Sequence, residues 1–166
     1  MLTLYCKGQT LKVLGDIILW MIIEVTGEQQ TKDFGEKIGR LLRGGETIEL
    51  IGDVGAGKTT FVKGLAKGLL IDEDVQSPSF TISRVYDARD NLQLAHYDFY
   101  RLSDAGIMKD ELTETMQDTE AVTVIEWADI VEGVLPTDRL TIDFASPTEE
   151  TRVLTVTGNE TLVGAL

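Results

Sequence analysis

The stretch "LIGDVGAGKTTF", residues 50–61, decides the fold. Gly52, Gly57, Lys58 and Thr59 fit the pattern G-x-x-x-x-G-K-[ST], and Gly55 adds a glycine inside the loop. Such a loop wraps phosphate because its backbone N–H groups converge on the oxygens, an approach that bulky Cβ atoms would obstruct. A helix starting at the end of the loop points its positive dipole at the same oxygens. In that arrangement Lys58 reaches the β and γ phosphates of a nucleotide, and the Thr59 hydroxyl completes a Mg2+ shell. ATP and Mg2+ are the expected ligands.

The flanking segments come in the order this unit needs. "TIEL" (Thr47 to Leu50) is β-branched and reads as a buried strand entering the loop, and "KTTFVKGLAKGLL" (Lys58 to Leu70) continues as an amphipathic helix. Upstream, "MIIEV" (Met21 to Val25) predicts a short strand, and Phe34, Ile38, Leu41 and Leu42 recur at helical spacing within Thr31 to Arg43. Downstream, "FTISRVY" (Phe80 to Tyr86) and "LQLAHYDFY" (Leu92 to Tyr100) flank the turn-rich "DARDN" and predict a hairpin. Ser103 to Glu120 predicts one or two short helices, "AVTVIEW" (Ala121 to Trp127) a buried strand, and "RLTIDF" and "RVLTVT" a terminal strand pair. The expected fold is α/β, with a P-loop NTPase-like sheet, mostly parallel with antiparallel additions, flanked by helices.

With 166 residues the chain is sized for one core rather than two. Met21 sits where the organised pattern begins, so residues 1–20 read as a possible N-terminal extension and 21–166 as a single P-loop ATPase domain. The alternative is an extra N-terminal strand, for which "LTLYC" and "LKVL" are adequate. The apolar run "VLGDIILWMII" (Val13 to Ile23) is interrupted by Asp16 and is shorter than the roughly 20 residues of a spanning helix. No membrane association and no targeting segment are expected.

Acidic residues number 28 against 15 basic ones, and only Lys109, Arg139 and Arg152 are basic after Leu102. A chain gripping a nucleic-acid backbone by itself needs a basic face, so direct tRNA or DNA binding is not expected. The acidity serves either solubility or an acidic docking surface for a partner. One cysteine, Cys6, and one histidine, His96, build neither a disulfide framework nor a Cys/His metal site, which suits a reducing cytoplasm.

A phosphate loop needs acidic help, usually from a carboxylate at the end of a neighbouring buried strand. Glu126 ends "VTVIE" and Asp98 lies near the end of "LQLAHYD". Either can bind the metal through water while the other orients a nucleophilic water; alternatively each is a solvated strand end. Lys58, Asp98 and Glu126 are the candidate catalytic residues, with Thr59, Glu126 and Asp98 the candidate metal set. Nothing in the sequence supports a metal role for His96. Arg101 reads as a phosphate-neutralising cation or a surface ion pair, and Trp127 as packing or as an indole beside the nucleotide.

Together, "GDVGAGKTTF", "SPSFT" (Ser77 to Thr81), "HYDFYRL" (His96 to Leu102), "VIEWAD" (Val124 to Asp129) and "GVLP" (Gly133 to Pro136) resemble the bacterial tRNA threonylcarbamoyladenosine biosynthesis ATPase family, TsaE, also called YjeE. Order and spacing match from about Ile22 to Phe144. The resemblance implies a small ATPase working with two partner proteins on the modification of the tRNA adenosine beside the anticodon. The transfer itself occurs on the large partner, so tRNA is met only indirectly. It assigns ATP phosphates to Gly55, Ala56, Gly57, Lys58, Thr59 and Thr60, with Gly52 opening the loop, Mg2+ to Thr59 and Glu126, and an essential acidic role to Asp98. It makes Thr31, in "TKDFG", a further nucleotide contact, and Ser77 to Thr81 a mobile segment near the γ phosphate. The family more often has threonine at the place of Ser79, where serine keeps the hydroxyl.

Three rival readings carry distinct signatures. A GTP switch needs an [NT]-K-x-D segment after the loop, and none occurs there. A P-loop small-molecule kinase shares the cradle but normally closes a cationic lid over the transferred phosphoryl group, and basic residues are scarce beyond Arg101. A nucleotide-dependent binding module differs only in degree from a weak ATPase that partners complete.

Overall fold

A computed structural model describes residues 9–13 and 16–166. The strand considered for "LTLYC" lies outside the described residues. The chain begins with β1 (Gln9–Val13), β2 (Asp16–Thr26), α1 (Gly27–Leu41), β3 (Thr47–Ile51) and α2 (Lys58–Gly68). It continues with β4 (Ser83–Asp87), β5 (Gln93–Asp98), α3 (Met108–Gln117), β6 (Ala121–Glu126), β7 (Leu140–Ala145), β8 (Thr151–Asn159) and α4 (Glu160–Val163).

The strands form one sheet in the order β1-β2-β8-β7-β3-β6-β5-β4. Its centre, β7-β3-β6-β5, is parallel, while β4 on one side and β8, β2 and β1 on the other run antiparallel to their neighbours. Burial follows this arrangement. All six residues of β6 are buried, as expected of a central parallel strand covered on both faces, whereas edge strand β4 buries only Tyr86.

Alternation along the strands divides the core between two faces. Leu50, Leu94, Val122 and Val124 pack with Phe34 and Ile38 of α1 and Phe61 and Leu65 of α2. On the opposite face, Ala95, Tyr97 and Ile125 pack with Leu112 of α3 and with Val131 and Leu135 after β6. The two helices of the first face meet through glycines. A Cβ on Gly64 would strike the Lys32 carbonyl, and one on Gly39 would stand 3.0 Å from the Gly68 Cα, so only hydrogen permits this approach.

Two sequence expectations shift in detail. The strand expected from Met21 begins at Asp16, so the expected boundary at residue 21 falls inside β2; it pairs with β1 on one side and with β8 from Ile18↔Asn159 to Thr26↔Thr151 on the other. The hairpin expected from Phe80 is present, but β4 starts only at Ser83. The amides of Thr81 and Ile82 both donate to the Pro78 carbonyl, and Ile82 is held at φ +70°, which turns the chain instead of extending it.

Candidate functional site

The sheet directs three strand ends to one place. β3 leads directly into the glycine loop and α2 starts at Lys58. Glu126, the last residue of β6, is register partner to Leu50 of β3 on one side and to Asp98 of β5 on the other. Because β3, β6 and β5 are parallel, both carboxylates stand beside the loop at the same edge of the sheet.

Within the loop, Gly52, Gly55 and Gly57 adopt φ of +142°, +81° and +109°, conformations that L side chains resist. At Gly52 space adds to conformation, since a Cβ there would lie 2.9 Å from the Phe144 carbonyl oxygen. Arg152 of β8 braces the loop from behind, donating from Nε to the Ala56 carbonyl (2.9 Å) while Nη1 holds the carbonyls of Thr148, Glu149 and Thr151.

Lys58 is 5% exposed. Its Nζ donates to the carbonyls of Gly52 (2.7 Å) and Asp53 (3.0 Å), lies 3.9 Å from Glu126 Oε2, and sits 4.6 Å from the Trp127 ring centroid. Burial pushes its pKa below the ordinary lysine value, against the opposing pull of Glu126, Asp98 and Asp53. Trp127 reaches this position because it takes a left-handed conformation (φ +57°) directly after β6, and its indole also packs against Tyr100 at 4.9 Å.

The two carboxylates differ in their partners. Asp98 Oδ2 accepts from Ser77 Oγ (2.8 Å) and from Ser79 Oγ, while Oδ1 accepts the Tyr100 amide at 3.0 Å. Glu126 Oε1 meets His96 Nε2 at 3.0 Å, leaving Oε2 toward Lys58. Asp98 therefore ties down the "SPSFT" segment, while Glu126 keeps one oxygen on the cleft.

These groups line a cleft of about 520 Å³. Gly55, Gly57, Lys58, Thr59 and Thr60 form its floor, and Ser77, Ser79, Asp98, Glu126 and Trp127 form its walls. Arg101 and Phe80 stand at the mouth, the guanidinium 4.1 Å from the ring centroid; among the described residues Arg101 makes no ion pair, and it lines the cleft.

Three expected contacts stand back from the cleft. Gly52 serves through its carbonyl on Lys58, Ala56 is buried behind the loop, and Thr31 is buried in α1 with its methyl 3.9 Å from where a Cβ on Gly57 would stand. Sequence reasoning missed His96 and Arg152. The first carried a signal, since two residues before Asp98 on a strand is the same face of the sheet. Arg152 carried none, because its contact spans 96 residues.

A glycine loop offering N–H donors, one buried ammonium, a hydroxyl and two carboxylates suit a polyphosphate with a hard, oxygen-seeking cation. Comparisons with known proteins agree in direction. The family model "Threonylcarbamoyl adenosine biosynthesis protein TsaE" matches residues 25–154. The tRNA threonylcarbamoyladenosine biosynthesis protein TsaE of Treponema pallidum is 41% identical over 128 residues, 77% of this chain and 93% of that protein. The protein of that name from Bacillus subtilis is 36% identical over 129 residues, 78% and 80% of the two chains. The crystal structure of Bacillus subtilis YdiB matches with a TM-score of 0.71 at 30% identity, covering 89% of this chain and 92% of that one.

Proposed function

The chain belongs to the TsaE family of threonylcarbamoyl adenosine biosynthesis proteins, and on that premise we propose that it is a Mg2+-dependent ATP-binding protein and weak ATPase. In this reading it supports threonylcarbamoyl modification of the tRNA adenosine beside the anticodon, acting with two partner proteins. The observation that carries the proposal is the convergence of Lys58, Glu126 and Asp98 on the glycine-loop cleft from α2, β6 and β5.

The residues divide the work. The amides of Gly55 and of Gly57 to Thr60 and the α2 N-terminus would bind phosphate, and Lys58 would turn from its two carbonyl partners to the β and γ phosphate oxygens. Thr59 Oγ1 and Glu126 Oε2 are the oxygens proposed to hold Mg2+: Oε2 accepts no hydrogen bond among the described residues, whereas Asp98 is engaged by two serine hydroxyls and the Tyr100 amide. Bound there, the cation neutralises charge developing on the phosphates. Asp98 is proposed to hold Ser77 and Ser79 beside the position of the γ phosphate. Among the described residues Arg101 is the only guanidinium lining the cleft, and it has no carboxylate partner there. That scarcity of cations favours slow hydrolysis by the isolated chain over rapid phosphoryl transfer to a small acceptor.

The test is ATP turnover by the purified chain with and without the two partner proteins, alongside threonylcarbamoylation of a cognate tRNA transcript. Partner-stimulated turnover with sustained modification is expected. Turnover indifferent to partners, with modification unchanged when the chain is omitted, sinks the pathway; a phosphorylated small-molecule acceptor turns the reading toward a kinase.

A further inference from the structure

We infer that His96 is a positioning residue for Glu126: its buried ring donates from Nε2 to Glu126 Oε1 and thereby fixes which carboxylate oxygen faces the cleft. The inference rests on the reading of that cleft as an ATP and Mg2+ site.

The placement follows from strand geometry. His96 and Asp98 are two apart on β5 and share one face, and their register partners on β6 are Val124 and Glu126. His96 therefore stands one step beneath the carboxylate pair, at zero exposure. Leu94 before it on the same face and Val124 across on β6 are apolar and fully buried, while Asp98 follows it on that face and Arg84 is its register partner on β4. An aliphatic residue would fill such a place without burying a polar ring, so packing alone does not account for an imidazole here. Glu126 supplies the polar reason.

Hydrogen-bond accounting then assigns the tautomer. Nδ1 has no partner among the described residues, whereas Nε2 lies 3.0 Å from a carboxylate oxygen. A carboxylate offers acceptors only. With the proton on Nε2 the pair forms a hydrogen bond and leaves a bare Nδ1 lone pair; with the proton on Nδ1 a buried N–H is orphaned and two lone pairs face each other. Orphaned buried donors are the rarer and costlier outcome. Nε2–H···Oε1 is the arrangement the structure supports.

The consequence concerns Oε2. Glu126 has three side-chain torsions, and anchoring Oε1 from beneath the sheet edge removes the rotation that would exchange its two oxygens. Oε2 is then held on the cleft side, where Lys58 Nζ lies 3.9 Å away. A carboxylate held from behind is oriented before its ligand arrives, and losing such outer support typically costs roughly 10- to 100-fold in metal affinity or activity.

The chain has a single histidine, so its ring nitrogens can be observed without assignment ambiguity. In the full chain free of nucleotide and metal, 15N NMR is expected to show a protonated Nε2 and a bare Nδ1, with the Nε2–H proton signal displaced in Glu126→Ala. A protonated Nδ1, or an Nε2 signal indifferent to Glu126→Ala, overturns the inference. For function, His96→Met keeps apolar bulk without the donor and is expected to lower kcat and Mg2+ affinity roughly 10- to 100-fold while ATP affinity stays within about threefold. His96→Gln, which restores an N–H at similar reach, is expected to recover most of the loss. Full turnover in a folded His96→Met chain overturns the positioning role, and so does equal loss in both variants. Absence of ATP hydrolysis by the parent chain, with or without partners, is a different failure: it removes the ATPase reading and this role with it, whichever tautomer the NMR finds.

Discussion

Asp98 and Glu126 are direct partners across the parallel pair β5 and β6, yet their carboxylates serve different neighbours. Asp98 collects the hydroxyls of Ser77 and Ser79, and Glu126 stands between His96 and Lys58. Removing one should not reproduce removal of the other. Glu126→Ala is expected to leave the ATP dissociation constant within about threefold and to lower turnover by roughly 100-fold or more. Calorimetric titration beside a phosphate-release assay checks this, and intact turnover would remove Glu126 from the reaction.

Asp98→Asn should act on the "SPSFT" segment. The carboxylate gives Oδ2 to both serine hydroxyls and Oδ1 to the Tyr100 amide, whereas a carboxamide has one oxygen, so it either sets its NH2 against the Tyr100 amide or turns it toward the serines and loses its acceptor there. Faster amide hydrogen exchange over residues 77–82 is the expected outcome, with the helices α1 and α2 unchanged.

Lys58→Ala removes the one ammonium that lines the cleft among the described residues. A hydrogen bond to a charged group contributes about 1.5–3 kcal/mol, so ATP affinity should fall roughly 10- to 100-fold. Secondary structure followed by circular dichroism should be retained, because the groups Lys58 meets, two loop carbonyls, Glu126 Oε2 and the Trp127 ring, all stand at the cleft and not within the helices.

Arg152→Ala unfastens the back of the phosphate loop without touching the cleft, since Arg152 meets Ala56 through its buried carbonyl side. A hydrogen bond from a charged guanidinium contributes about 1.5–3 kcal/mol, of which only part reaches ATP, because Arg152 acts on the cleft through the loop and not directly. The expected effect is a roughly 3- to 10-fold rise in the ATP dissociation constant, measurable in the same titration. Unchanged affinity would mean that the loop holds its shape without this brace.

The contact between α1 and α2 yields two stability predictions. Gly64→Ala drives a methyl into the Lys32 backbone, which has no flexible end to yield, and overpacking of this kind costs about 1–3 kcal/mol or more. Glu36 of α1 accepts from Lys67 of α2 at 2.7 Å, and that hydrogen bond holds its carboxyl below the ordinary value of 4.5. A lowered carboxyl pKa gives stability present above pH 4.5 and lost as pH falls below it. Glu36→Gln should therefore unfold at lower denaturant than the parent at pH 7, by no more than about 1 kcal/mol, and the difference should close in acid.

Local chemistry determined which features are legible in the sequence alone. Glycines at three positive-φ positions, a lysine, a threonine and the strand and helix on either side specify a tight glycine loop within twelve consecutive residues, since all its parts are near neighbours in the chain. The apolar run ending in Glu126 marked a buried strand, the turn-rich "DARDN" marked the hairpin whose second strand carries Asp98 near its end, and "RLTIDF" and "RVLTVT" marked the terminal strand pair. Other features depended on which strands lie side by side. Only the order β3-β6-β5 places Glu126 next to Asp98 and both beside the loop, and only that register sets His96 beneath Glu126. The buried place of Thr31 behind the loop, the Arg152 brace and the glycine contact between helices join residues tens of positions apart. No periodicity within one segment encodes such pairs: periodicity says which face a residue takes, and tertiary packing decides what that face meets.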